Sequence, residues 1–149
     1  MSNQPDDTKT IEVFLSAVGD EAFQSLAHRL DRLLSEQHSG RYPNLIEVQV
    51  LAIMLGAKLG DEELQDAIED AHRWVGPKFG PHIVISVAKA QERLLGALDK
   101  LAERVKQVSR EELNGTEASY AFAVSLMAAR RLSDEQLLSA LRRVPGRAL

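Results

Sequence analysis

Apolar positions along this chain fall mostly at helical spacing, and successive stretches differ in how much of the helix circumference they occupy. Phe23, Leu26, Leu30 and Leu33 step by 3, 4 and 3, a single seam that predicts an amphipathic helix from Asp20 to about Gln37. Residues 45–57 and 118–129 are apolar almost all round, which predicts two central, buried helices. Residues 83–108 read as one long helix, within which Leu94, Leu98, Leu101, Val105 and Val108 step by 4, 3, 4 and 3 in a heptad seam. Amphipathic helices are also expected from Asp61 to near Val75 and from Ser133 to near Val144. Near the start, Ile11, Phe14, Leu15 and Val18 follow helical spacing, with Gly19 suited to the C′ position and Asp20 to the next N-cap. Ile and Val also favour a strand there, but no second strand offers itself as a partner, so a helix is expected.

Punctuation separates these stretches. The segment HSGRYPN breaks the chain before residue 45, and Asn44 with Glu47 can cap the helix that follows. Ser109 with Glu112 and Ser133 with Gln136 are further capping boxes, Asn114-Gly115 is a stop and Thr116 an N-cap. Two Gly-Pro pairs, Gly76-Pro77 and Gly80-Pro81, mark a seam at 76–81.

The chain also repeats itself. Residues 54–68, MLGAKLGDEELQDAI, shifted by 73, fall on 127–141, MAARRLSDEQLLSAL, with Met, Leu, Asp, Glu, Leu and Ala identical in register. A weaker echo links 22–34 with 90–102. The predicted fold is therefore all-α: a compact bundle of six or seven helices, with the echo suggesting two pseudo-symmetric three-helix halves at about 20–75 and 82–144. Residues 1–9 are polar and expected to be a disordered tail, leaving 10–149 as a single all-helical domain.

Composition narrows the classes. At 149 residues there is enough chain for one well-buried domain. With no Cys, disulfides, thiol nucleophiles and Cys-ligated zinc are excluded. No apolar run approaches the roughly 20 residues that span a bilayer, and MSNQPDDTKT is no secretory signal, so no membrane partner is expected and the cytoplasm is the default location. The net charge of −4 conceals an asymmetry. Residues 1–76 carry six basic and fourteen acidic side chains, whereas 77–149 carry twelve basic and eight acidic ones. Uneven solvated faces explain this most simply; self-association of opposite faces or polar partners would use it.

Candidate chemistry is sparse. Glu69 and His72 form an E-x-x-H pair on one helix face, but a dimetal bundle needs a second such pair, and the echo supplies Arg142 and no His. No G-x-S-x-G, supported Ser-x-x-Lys or Gly-rich phosphate loop is present, and Asp61, Glu62, Glu63 and Asp66 are accounted for by the helix dipole they complement. Neither catalysis, a metal nor a cofactor is expected. Two binding readings remain. Trp74, Val75 and Phe79 bring large apolar groups to the seam, as satellite core or, if exposed, as a docking patch for another protein. This supports an adaptor, regulator or immunity-type inhibitor working by protein–protein interaction, and a homodimer is allowed by the same features. The alternative is a DNA-binding regulator of helix-turn-helix proportions, with Arg130, Arg131, Arg142, Arg143 and Arg147 making its C-terminal end basic. Asp134-Glu135 at the start of the would-be reading helix oppose it, so DNA is not the favoured partner.

Overall fold

The structure is a computed structural model that describes residues 8–36, 45–77, 82–88, 92–109, 113 and 115–143. Along these residues the order is β1 (Thr8–Phe14), α1 (Ala17–Glu36), α2 (Leu45–Gly56), α3 (Asp61–Ala71), β2 (His82–Ala88), α4 (Glu92–Val108), α5 (Glu117–Arg130) and α6 (Asp134–Arg142). The chain is thus mostly helical, as its periodicity requires, with six helices among the described residues.

Two segments depart from the expected helices. Residues 8–14 and 82–88 form an antiparallel pair in the register Ile11↔Ile85. Opposed residues in such a pair share a face. Val13 and Ile85 are fully buried, with Ile11 and Ile83 packed beside them, while Glu12 and Val84 occupy the other face and Val84 is 46% exposed. The helical spacing of Ile11, Phe14 and Leu15 was therefore coincidental; the alternation Ile11, Val13, Leu15 is what burial uses. The expected long helix over 83–108 is likewise a strand followed by α4. The small sheet adds to the bundle rather than replacing it. Thr8 and Lys9, expected in the tail, belong to β1, and residues 1–7 lie outside the described residues.

The expected central helices do occupy the centre. In α2, Val48 and Val50–Ile53 are buried; in α5 every residue from Ser119 to Met127 is buried. Helix α5 packs against α1, α2, α3, α4 and β1. Its contact with α2 is close: a Cβ on Gly56 would lie 2.0 Å from Ser125 Oγ. Ser125 is tolerated there because its hydroxyl donates to the Ala121 carbonyl at 2.8 Å. The heptad seam of α4 is core, with Leu98, Leu101 and Val105 buried.

Several caps match their sequence signals. Thr116 Oγ1 accepts from Ser119 N at 3.1 Å, and Ser133 and Gln136 make the reciprocal capping box at 3.2 and 2.9 Å. The pairs Asn44/Glu47 and Ser109/Glu112 include residues outside the described set. Ser119 also accepts from the Phe14 amide at 2.8 Å, which ties the start of α5 to the end of β1.

The start of α1 differs from expectation. Ser16, not Asp20, supplies the oxygen that accepts from the Gly19 amide, at 3.1 Å, and Gly19 lies inside the first turn of α1. A β-bridge joins Leu15 to Val75; the Ser16 amide donates to the Trp74 carbonyl at 3.0 Å and the Gly76 amide to the Phe14 carbonyl at 2.8 Å. The seam thus begins by returning to the end of β1.

Candidate functional site

Three of the eight expected site residues, Trp74, Val75 and Arg130, have structural occupations. Trp74 and Val75 are only 5% and 7% exposed and belong to the core, so they do not form the exposed docking patch considered from the sequence. Packing beneath the α1 turn accounts for this: the main chain at 74–76 is hydrogen-bonded to 14–16, which turns the neighbouring side chains inward. Phe79 lies outside the described residues. Arg130 sits over the Trp74 ring, 5.3 Å from its centroid, a cation–π contact. Arg131, Arg142 and Arg143 are exposed at the ends of α5 and α6, and Arg147 lies outside the described residues.

The corner between α5 and α6 is occupied by α1. Arg29 donates through its terminal nitrogen to the Leu132 carbonyl at 2.7 Å and to Asp134 Oδ1 at 2.8 Å, and its Nε reaches the same oxygen at 3.0 Å. Arg32 lies 3.6 Å from the other Asp134 oxygen. The first turn of the would-be reading helix is therefore acidic and held against another helix, an arrangement that favours a structural corner over groove insertion.

The hydrogen bond from Arg29 is the largest cause that lowers the Asp134 pKa below its ordinary 3.8, with the charges of Arg29 and Arg32 adding to it. A depressed folded-state pKa means a stabilising contribution present above 3.8 and lost as pH falls through the lower folded value. In thermal melts across a pH series, Asp134→Asn should melt below the wild type at neutral pH. The gap should close on acidification; a constant gap would show that the ion pair is not its source.

His72, half of the E-x-x-H pair, lies against Tyr120. Its Nδ1 is 2.5 Å from the Tyr120 hydroxyl and the rings meet edge-on at 80°. Among the described residues no group of three His, Asp or Glu side chains could hold a metal ion. Also among the described residues, no helix is long and apolar enough to cross a membrane.

The concave features were not named by the sequence. One groove, of about 360 Å³, runs between the end of α2 and the outer face of α6. Met54, Leu55, Leu132 and Ala140 supply its apolar surface, with Ser139 beside them. Lys58 and Arg143 are its cations, Glu135 its carboxylate and Gln136, engaged in the α6 cap, a further polar edge. The apolar floor follows from the composition of α2: a helix apolar all round leaves Met54 and Leu55 half-buried where its last turn emerges from the core. The repeated stretches seen in the sequence meet here, the first copy contributing Met54, Leu55 and Lys58 and the second Leu132 to Ala140, with Arg143 just beyond its end. A second, acidic concavity of about 570 Å³ is lined by Asp61, Glu62, Gln65, Asp66, Glu69 and Val108. Asp61 is already paired with Arg104 at 2.9 Å, and the other carboxylates sit on the solvated face of α3.

Compared with known proteins, the chain matches no family model, no curated protein and no solved structure.

Proposed function

We propose that this protein is a helical binding module that takes a short segment of another protein into the α2–α6 groove. The observation that carries the reading is the pairing of a half-buried apolar floor, Met54 and Leu55, with two cations, Lys58 and Arg143, against a single carboxylate, Glu135. Met side chains repack readily around different apolar partners, which suits a floor of this kind. The volume suits a few side chains from one helical turn of a partner rather than a broad protein face. The charge balance selects a segment whose apolar side chains are flanked by Asp or Glu, with the cations fixing its orientation.

Labelled twelve-residue amphipathic peptides with Leu anchors test this by fluorescence anisotropy, one set flanked by Glu and the other by Lys. The Glu-flanked peptide should bind, and Lys58→Glu/Arg143→Glu should weaken it by about tenfold or more, near 1.4 kcal/mol. Equal binding of both peptides, or indifference to the double substitution in a folded protein, would remove the groove as the site. Mixed-sequence duplex DNA titrated alongside serves as the competing probe. DNA binding that weakens steeply between about 50 and 200 mM salt would transfer the function to the exposed arginines.

A further inference from the structure

Two corners of the fold are held in the same way, each by an arginine from the other half of the chain. Arg29 on α1 donates to the Leu132 carbonyl at 2.7 Å and to Asp134 at 2.8 Å. Arg104 on α4 donates to the Leu59 carbonyl at 2.7 Å and to Asp61 at 2.9 Å. The acceptors correspond: Leu59 and Leu132, like Asp61 and Asp134, are separated by the 73 residues of the sequence echo. The element order β, α, α, α occurs twice, and the strand bounds 8–14 and 82–88 differ by 74. At that offset Ile11 corresponds to Ile85, and these two residues face each other at the middle of the antiparallel register. Equivalent strands that pair antiparallel about their own midpoints are exchanged by a half-turn. Helix packing follows the same operation: α1 lies on α5 as α4 lies on α2, α1 on α6 as α4 on α3, and α2 and α5 lie on each other.

We infer that the chain is a two-fold dimer of a βααα unit fused into one polypeptide, and that the surface between its halves accepts the complementary half of a second copy. Strand pairing, the α2–α5 contact and both arginine clamps all run between halves. They are satisfied equally by two halves of one chain or by halves of two chains. The choice rests with the link between α3 and β2, whose sequence carries both Gly-Pro pairs. Closure within one chain is favoured by an effective concentration of the order of millimolar for a short link, so the exchanged dimer should compete at protein concentrations near about 1 mM. The inference does not depend on the proposed groove. Both halves contribute to that groove, so it forms in either state and the peptide titration reads separately.

Full-length Arg104→Asp and Asp61→Arg variants provide the test. Neither variant alone can pair its clamp, in a monomer or in an exchanged homodimer. An exchanged heterodimer restores both clamps, one reversed and one native. The two chains, one of them isotopically labelled, are unfolded together, refolded at about 1 mM and weighed by native mass spectrometry. The expected result is a one-to-one heterodimer exceeding either homodimer by about tenfold, melting above both variants. Monomers only, or dimers in statistical proportion, would overturn the inference. The double variant Arg104→Asp/Asp61→Arg in a single chain should recover stability lost in the singles; failure to do so would overturn the clamp itself. Labelled and unlabelled wild type, co-refolded in the same way, keep the test open if a variant does not fold. Mixed-label dimers are then expected, and monomers alone would count against exchange.

Discussion

Truncation of Phe122 to Ala is expected to destabilise the protein by about 3–5 kcal/mol, the largest effect we anticipate from a single side chain. Phe122 is completely buried at the middle of α5, the helix against which four other helices and β1 pack. Its ring lies 5.9 Å from that of Phe23 on α1, tilted at 57°, so it joins the outer helix to the centre. Removing it leaves a cavity whose walls belong to separate helices and whose collapse would pull on their other contacts. Domains of this size are commonly stable by only about 5–15 kcal/mol, so the loss would consume much of the margin. In urea titrations the midpoint should fall sharply while the slope is retained. A midpoint shift worth less than about 1 kcal/mol would mean that the neighbours close the cavity and that α5 is less tightly held than its burial indicates.

The centre of the fold was legible because burial on all sides leaves an unmistakable mark: 45–57 and 118–129 lack a polar face, and their helices α2 and α5 lie at the core. Local chemistry was legible where it is self-contained, as at Thr116 and at Ser133 with Gln136. The sheet was not. A strand is specified as much by its partner as by itself, and the partner of 8–14 lies 74 residues away. The alternations Ile11, Val13, Leu15 and Ile83, Ile85, Val87 were both present, but each is short enough to be absorbed into an adjacent helical pattern. Each is followed by a run of three helices, a parallel visible only once both are read as strands. The groove was missed for a related reason. The repeat of 54–68 in 127–141 was visible, but which ends of its copies meet depends on how the two halves cross. Trp74 was open between core and surface because burial of a lone large side chain follows from tertiary packing, which its immediate neighbours do not encode.

Gly19→Ala carries the second large expected effect, and it isolates backbone proximity from conformational freedom. Gly19 lies in the first turn of a regular helix, where Ala would ordinarily gain roughly 0.5–1 kcal/mol by helix propensity. Here a Cβ would fall 2.1 Å from the Trp74 carbonyl oxygen, with the carbonyl carbon at 3.0 Å. That oxygen accepts from the Ser16 amide at 3.0 Å, so it cannot withdraw without loosening the turn that links β1 to α1 and the bridge from Leu15 to Val75. Overpacking of this kind typically costs about 1–3 kcal/mol, and an obstructing backbone atom places the expected loss at the upper end or beyond. Gly96→Ala is the matched control: in α4 a Cβ at Gly96 meets nothing within 4 Å, so propensity should act alone and raise stability. Thermal melts of the two variants should therefore move in opposite directions from the wild type. If Gly19→Ala instead rose with Gly96→Ala, the segment 74–76 would not be pinned to the start of α1, and Trp74 would lose the main-chain support that keeps it in the core.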